Sequence, residues 1–370
     1  MPSGSDIEIQ EDHTHDHTVF KVRYRQNSVS TIDSVSSQGS LRLPVIKVLG
    51  TGGTIAAKGS TAFQTAGYHV DLAIEDLISV IPDLSHTCEL RFEQVFNLDS
   101  KEFTAKQLLE LHAKVEADLQ HHDGVVITHG TDTCEETAFF LDSTIESDKP
   151  VVMCGSMRPL TSVLADGPSN LYQACVVAAN PQSRHRGVLV TLNDKIGLGY
   201  YISKTDANLL DTFKLLGHGY LGNFVNGEVH YYFPPQRPTG RRLFRLGTAP
   251  ALPEVIVFYA HQDFNHALVK LAVENLAVAG IVMATMGAGS LRDDTNAMLA
   301  ELSQKHEIPV VYSKRSMDGM VPTGAMPKGR YLVAGGYLNP QKARLLLQLC
   351  LNDKMGMPQI RKVFRGVYGG

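Results

Sequence analysis

Two short segments concentrate hydroxyl groups on glycine-bent backbone: Gly50-Thr51-Gly52-Gly53-Thr54-Ile55 and Thr128-His129-Gly130-Thr131-Asp132-Thr133. A threonine hydroxyl is a weak nucleophile at neutral pH and attacks only with a base or proton path beside it. Glycines let the backbone bend sharply and come close to a ligand. Unpaired backbone N–H groups at a helix start can hold a carboxylate or a developing oxyanion. Each segment also has a plainer reading. Thr133 and Glu136 have the spacing of a capping box, so the second turn also reads simply as a capped helix start. His129 beside Thr131 invites a Ser/His-type arrangement, but no third orienting group can be named, and in a tight turn its contacts read as structural. The first turn nearly matches a dinucleotide fingerprint, with Asp71 placed where a ribose-binding acid would fall. Against a nicotinamide enzyme, Ile55 occupies the third glycine position and residues 55–67 read as a mobile loop, where that fingerprint opens a helix. The Gly-Lys-Ser/Thr ending of a phosphate loop is missing too.

Both turns follow β-branched apolar runs, Pro44–Leu49 and Gly124–Thr128, and the same theme recurs at Val151–Cys154 and Val188–Leu192. A helix is expected after the second turn, through Leu141. Nearly continuous apolar strands alternating with helices predict a parallel sheet covered on both faces. Asn226-Gly227, inside Phe224–Val229, signals a hairpin that closes this region. The Pro/Gly-rich stretch at about residues 233–253 reads as a linker. Beyond it, strands are expected at Val255–Tyr259, Gly280–Thr285 and Ile308–Tyr312, with helices near 265–278 and 293–305. A last helix opens at Asn339-Pro340 and runs through Leu351. The predicted fold is therefore α/β: a larger, doubly wound N-terminal domain over 43–232 and a smaller C-terminal α/β domain over 254–370. In such sheets ligands sit outside the carboxyl ends of the strands, where both threonine turns lie.

Composition narrows the function classes. The chain has 370 residues, 43% hydrophobic and 19% charged, with a net charge of −4. That balance, without a Lys/Arg block, leaves no electrostatic footprint for nucleic acid or a membrane surface. No apolar run has the length of a membrane span. Residues 1–42 are polar, without a secretory-type hydrophobic segment, and are expected to be a disordered tail. His13, His15 and His17 alternate within it and read as solvated tail residues, with metal chelation the second reading. Cys88, Cys134, Cys154, Cys175 and Cys350 are scattered among apolar neighbours, as in a reduced, cytoplasmic protein with buried thiols. Other hydrolase signatures, such as G-x-S-x-G and H-E-x-x-H, are missing.

Thr51-Gly52-Gly53-Thr54-Ile55-Ala56 and His129-Gly130-Thr131-Asp132-Thr133-Cys134-Glu135-Glu136-Thr137-Ala138 resemble the two signature motifs of the bacterial and fungal L-asparaginase/glutaminase family. Arg158, Asp166-Gly167-Pro168, Asn170-Leu171-Tyr172, Leu192-Asn193-Asp194 and Leu338-Asn339-Pro340-Gln341-Lys342-Ala343 are similar to it as well. The resemblance runs from about Leu43 to the C-terminus and is strongest to fungal cytosolic members. It implies Thr54 as the nucleophile and Tyr68 as a loop tyrosine that closes over the substrate and assists Thr54. Ser100 would hold the substrate α-carboxylate. Thr131 would be the second threonine, Asp132 the carboxylate that receives the α-ammonium group, and Lys204 the lysine coupled to that pair. It implies no cofactor, L-asparagine as substrate and a homotetramer. Two departures stand out. Ser290, in Met286-Gly287-Ala288-Gly289-Ser290, replaces an asparagine that often reaches a neighbouring subunit's site. The acidic segment after the Pro-Thr-Gly turn is shortened to Ala325-Met326-Pro327-Lys328-Gly329, so the balance between asparagine and glutamine stays open.

On this reading Thr54 attacks the side-chain amide carbon, ammonia leaves, and water hydrolyses the β-aspartyl ester. Backbone N–H groups of the glycine-rich turn and of Thr131 hold the oxyanion, and either Lys204 or Tyr68 carries the proton. The alternative is a non-catalytic asparagine or aspartate sensor on the same scaffold. Either requires Thr54 and Thr131 to face a single cavity.

Overall fold

The computed structural model describes residues 42–64, 67, 69–247 and 251–367, and of the preceding tail only 9–10 and 21–22, which pair as a two-residue antiparallel ladder. The expectations for the rest of the tail, His13, His15 and His17 included, fall outside the described residues, as does Tyr68.

The apolar runs become strands that water reaches on neither face. Val45–Gly52 (β1), Gly124–Thr128 (β3), Val151–Cys154 (β4) and Val188–Leu192 (β5) are buried almost throughout. Together with Glu89–Leu98 (β2), Lys195–Leu198 (β6), Gly222–Val225 (β7) and Glu228–Tyr231 (β8) they form one sheet in the order β8-β7-β6-β5-β4-β3-β1-β2. The pairings from β2 to β5 are parallel and those from β5 to β8 antiparallel. Asn226 and Gly227, both at positive φ, make the turn between β7 and β8, as the Asn-Gly pair predicts.

Strand alternation sends Val125 and Ile127 to one face and Val126 to the other, and each face needs its own cover. Helices Ala105–His121 (α2) and Cys134–Thr144 (α3) pack on the first face. Ile74–Ser79 (α1) and Gly167–Ala179 (α4) cover the second. The sheet is doubly wound, as expected.

A second sheet, all parallel, runs Val255–Tyr259 (β9), Gly280–Thr285 (β10), Val310–Lys314 (β11) and Leu332–Ala334 (β12) in chain order. Ala267–Asn275 (α5) and Asp293–His306 (α6) cover one face, and Pro340–Asn352 (α7) the other; Met357–Gly366 (α8) follows. Strand β11 begins at Val310, later than the expected Ile308. Glu307 closes α6 in the left-handed conformation and the Ile308 N–H still bonds back to Ser303, so pairing starts only past Pro309. Among the described residues no helix is long and apolar enough to cross a membrane.

Strand β1 pairs with β2 on one side and β3 on the other, so the winding reverses between β1 and β3. The loops leaving their carboxyl ends diverge there and leave a crevice, the general ligand position of such sheets. Both threonine turns leave from it.

Candidate active site

The first turn is shaped by its glycines. Gly52 and Gly53 have φ of 100° and 83°, a region costly for residues with a side chain. A Cβ at Gly53 would fall on the backbone of Gly130, so the two turns touch backbone to backbone. The Gly53 N–H donates to the Leu98 carbonyl at 2.8 Å, which removes it from the oxyanion donors expected of this turn. Thr51 Oγ1 donates to the Thr128 carbonyl at 2.7 Å and ties β1 to β3. Thr54 then starts a three-residue 3-10 turn, after which Ala57–Lys58 pairs with His69–Val70. No helix opens after the glycines, so a pyrophosphate would lack the helix N-terminus that the dinucleotide fingerprint relies on.

The second turn is held from beneath by His129. Its N–H donates to the Cys154 carbonyl at 2.8 Å, and its ring nitrogens contact the Gly130 carbonyl (2.8 Å) and Thr137 Oγ1 (3.0 Å). The ring packs on Phe103 with centroids 4.6 Å apart. Full burial pushes its pKa down to about 4, so at neutral pH it is an uncharged structural group. The expected capping box is not formed. Thr133 makes no side-chain cap; its hydroxyl donates to the Ser100 carbonyl at 2.9 Å. A tertiary partner outbids the local one, and Thr133 thereby joins the turn to the loop after β2.

That loop delivers Ser100. Gly130 sits directly on it, where a Cβ would come within 2.6 Å of Ser100 Oγ. Ser100 is buried, and its hydroxyl has no hydrogen-bond partner among the described residues. A buried hydroxyl left unpaired at the wall of a cleft is available to a ligand atom. Lys204 is carried by a two-residue ladder of Ser203–Lys204 with Phe213–Lys214. Its ammonium donates to Thr131 Oγ1 at 2.9 Å and to Asp132 Oδ1 at 2.6 Å. The Lys204 side chain is 15% exposed and that of Asp132 60%, so the lysine is set back and the carboxylate faces the opening.

Thr54, Ser100, Thr131, Asp132 and Lys204 all line one cleft of ≈ 220 Å³. Of the residues expected at the site, Tyr68 alone falls outside the described residues. Asp99, Asn208 and Met157 also line the cleft and were not anticipated, as does Arg158, noted only for its family pattern. Asp99 adjoins Ser100 and could have been found by that adjacency; Asn208 carries no local signal. The wall at Met157 and Arg158 is shaped by Asp166, which accepts both backbone N–H groups at 3.0–3.2 Å. Burial raises the Asp166 pKa despite these donors. Ser290 closes a turn by paired backbone bonds with Met286 and does not line this cleft.

Carboxylates at 99 and 132 with cations at 158 and 204 suit a small zwitterion, and two hydroxyls, at 54 and 131, are presented to the same volume.

Comparisons with known proteins agree with this architecture. Residues 45–237 match the family model "Asparaginase, N-terminal", and residues 254–364 match "Glutaminase/Asparaginase C-terminal domain". The chain is 48% identical over 333 residues to L-asparaginase 2-3 of Saccharomyces cerevisiae, spanning 89% of this chain and 91% of that one. It is 39% identical over 349 residues to L-asparaginase 2 of Escherichia coli, spanning 92% and 98%. The crystal structure of a probable cytoplasmic L-asparaginase from Campylobacter jejuni superposes with a TM-score of 0.81 at 36% identity, over 87% of this chain and 99% of that one. With both domain models matched in order and relatives aligned along nearly their whole length, the chain belongs to the asparaginase family.

Proposed function

We propose that this chain is an L-asparaginase, an amidohydrolase acting on linear amides, which converts L-asparagine to L-aspartate and ammonia through a Thr54 acyl-enzyme. The observation that carries the reading is that Thr54 and Thr131 line one cleft with Ser100, Asp132 and Lys204. Asp132 receives the α-ammonium group and the unpaired Ser100 hydroxyl the α-carboxylate, which sets the side-chain amide against Thr54. Holding both ionic ends gives the orientation that converts encounter into reaction. Thr54 Oγ1 bonds to the amide carbon, the C–N bond breaks, and the hydroxyl proton leaves with ammonia. Water then cleaves the β-aspartyl ester and restores the hydroxyl. The Thr131 backbone N–H stabilises the oxyanion, Lys204 orients the Thr131 hydroxyl, and Tyr68, on the family resemblance, closes over the substrate and relays the proton.

The same reading divides the chain into a catalytic domain over 43–232, a connecting segment over 233–253 and a C-terminal domain over 254–370. It takes the protein as a cytoplasmic homotetramer, supported by the family pattern and by five free, buried cysteines. The Thr54→Ala variant is expected to release no ammonia from asparagine while keeping the circular dichroism and unfolding midpoint of the parent. Near-normal turnover in that variant would move the nucleophile to Thr131. Tight aspartate binding without ammonia release by the unaltered protein would make it a sensor.

A further inference from the structure

The first turn of α7 belongs to the C-terminal domain, yet its polar groups are spent on the N-terminal one. Asn339 caps the helix by accepting from the Lys342 N–H at 3.1 Å. With its remaining donor, Nδ2, it bonds to Glu135 Oε2 and to Ser203 Oγ, both at 3.2 Å. Gln341 Nε2 reaches the other oxygen of Glu135 at 2.6 Å. Lys342 is only 2% exposed, and its ammonium gathers the carbonyls of Tyr200 (3.1 Å), Gly199 (3.4 Å) and Ile202.

These partners are not scattered. Ser203 precedes Lys204, and Gly199, Tyr200 and Ile202 form the turn that leads into it. Glu135 lies three residues beyond Asp132, in the first turn of α3. The lysine and the Thr131–Asp132 pair stand on separate pieces of backbone, and Asn339 bonds to the residue before the lysine and to the first turn of the helix that follows the pair. From this we propose that Asn339 and Lys342 are positioning residues, which set Lys204 at hydrogen-bond distance from Thr131 and Asp132 from across the domain junction. Their role rests on the reading of the cleft given above. Among the described residues Lys342 is the donor these three carbonyls share, so it braces the turn before Lys204 together with that turn's own backbone bonds to Leu198. The Asn339 amide bridges the strand that carries Lys204 to the helix that follows Asp132, a connection the two-residue ladder does not make.

The test is Asn339→Asp, which retains a good helix cap but cannot donate and sets a second carboxylate against Glu135. Its kcat for asparagine is expected to fall by about tenfold to a hundredfold, with KM changed far less; the unfolding midpoint should fall too, since two carboxylates then meet at a buried contact. Adding Glu135→Gln restores the contact with reversed polarity, since the new amide donates to the new carboxylate; most of the lost kcat should return. In a Lys204→Met background Asn339→Asp should cost nothing further, because the group it positions is gone. An unchanged kcat in Asn339→Asp, or an equal fractional loss in both backgrounds, overturns the positioning role while leaving the reading of the cleft in place. Full kcat in Lys204→Met overturns that reading itself.

Discussion

His129 stands two residues from Thr131 and has the side chain most often recruited as a base, yet it is the least available group at the site. Its burial holds the neutral form down to about pH 4, whereas the ordinary value is 6.5. The sign of the resulting pH dependence follows directly. As pH falls through 6.5 the unfolded chain takes up a proton that the folded chain refuses until about pH 4. Stability contributed by His129 is therefore complete above 6.5 and declines across that window. Between pH 6.5 and 5 the loss is roughly 2 kcal/mol for this one residue. Urea unfolding at pH 7 and pH 5 should show a steeper decline in the parent than in His129→Gln, by about that amount; parallel declines would mean that the ring is protonated in the fold. At this scale the sequence carried much of the site. Thr54, Ser100, Thr131, Asp132 and Lys204 stand in recognisable motifs. Thr133 was misassigned because its best partner, the Ser100 carbonyl, lies thirty-three positions away, beyond what local spacing reports.

The elements that bring the two turns together do so by backbone contact, which is why glycine is required at Gly53 for two separate reasons. Its φ of 83° is strained for alanine, and the space a Cβ needs is held by Gly130. Gly227, at the tip of the β7–β8 hairpin, has a φ of 85° with open space around it and so separates the two effects. Gly227→Ala is expected to lower stability by about 1 kcal/mol without touching turnover. Gly53→Ala should be costlier and, by parting the turns on the order of 1 Å, should reduce kcat by about a hundredfold. Equal activity in the two variants would show that close approach of the turns is not needed. Elements were legible where burial is complete. Strands β1, β3, β4 and β5 are apolar on both faces and stand out as continuous runs. Strand β2 escaped notice because it is the sheet edge and carries Glu89, Arg91 and Glu93. Helix α2 escaped because exposed Lys and Glu residues, and the buried polar His112 and Asp118, break up the apolar stripe of Leu108, Leu111, Val115 and Leu119.

At the scale of the molecule the question is whether the two sheets behave as one body. A single buried cluster contains Leu49 and Ile127 of the first sheet, Val282 and Val311 of the second, and Leu345 and Leu346 of α7 between them. The Pro/Gly-rich segment that joins the sheets is also fastened down. Asp142, fully buried in α3, receives Arg237 Nη1 at 3.1 Å and Arg241 Nε at 2.8 Å, and its Oδ1 also accepts the Val188 N–H at 3.0 Å. Composition alone marks residues 233–253 as a linker, and the partner that holds Arg237 and Arg241 lies 95 and 99 positions away. Asp142→Asn keeps an acceptor for Val188 but strands two largely buried guanidinium groups without a counter-charge. Removing one partner from a buried ion cluster costs about 3 kcal/mol, and the unfolding midpoint should fall accordingly. Because the apolar cluster crosses the junction, calorimetry should still record one transition in this variant, with both sheets melting together. Two resolved transitions would mean that the arginine anchor, and not the shared core, couples the domains.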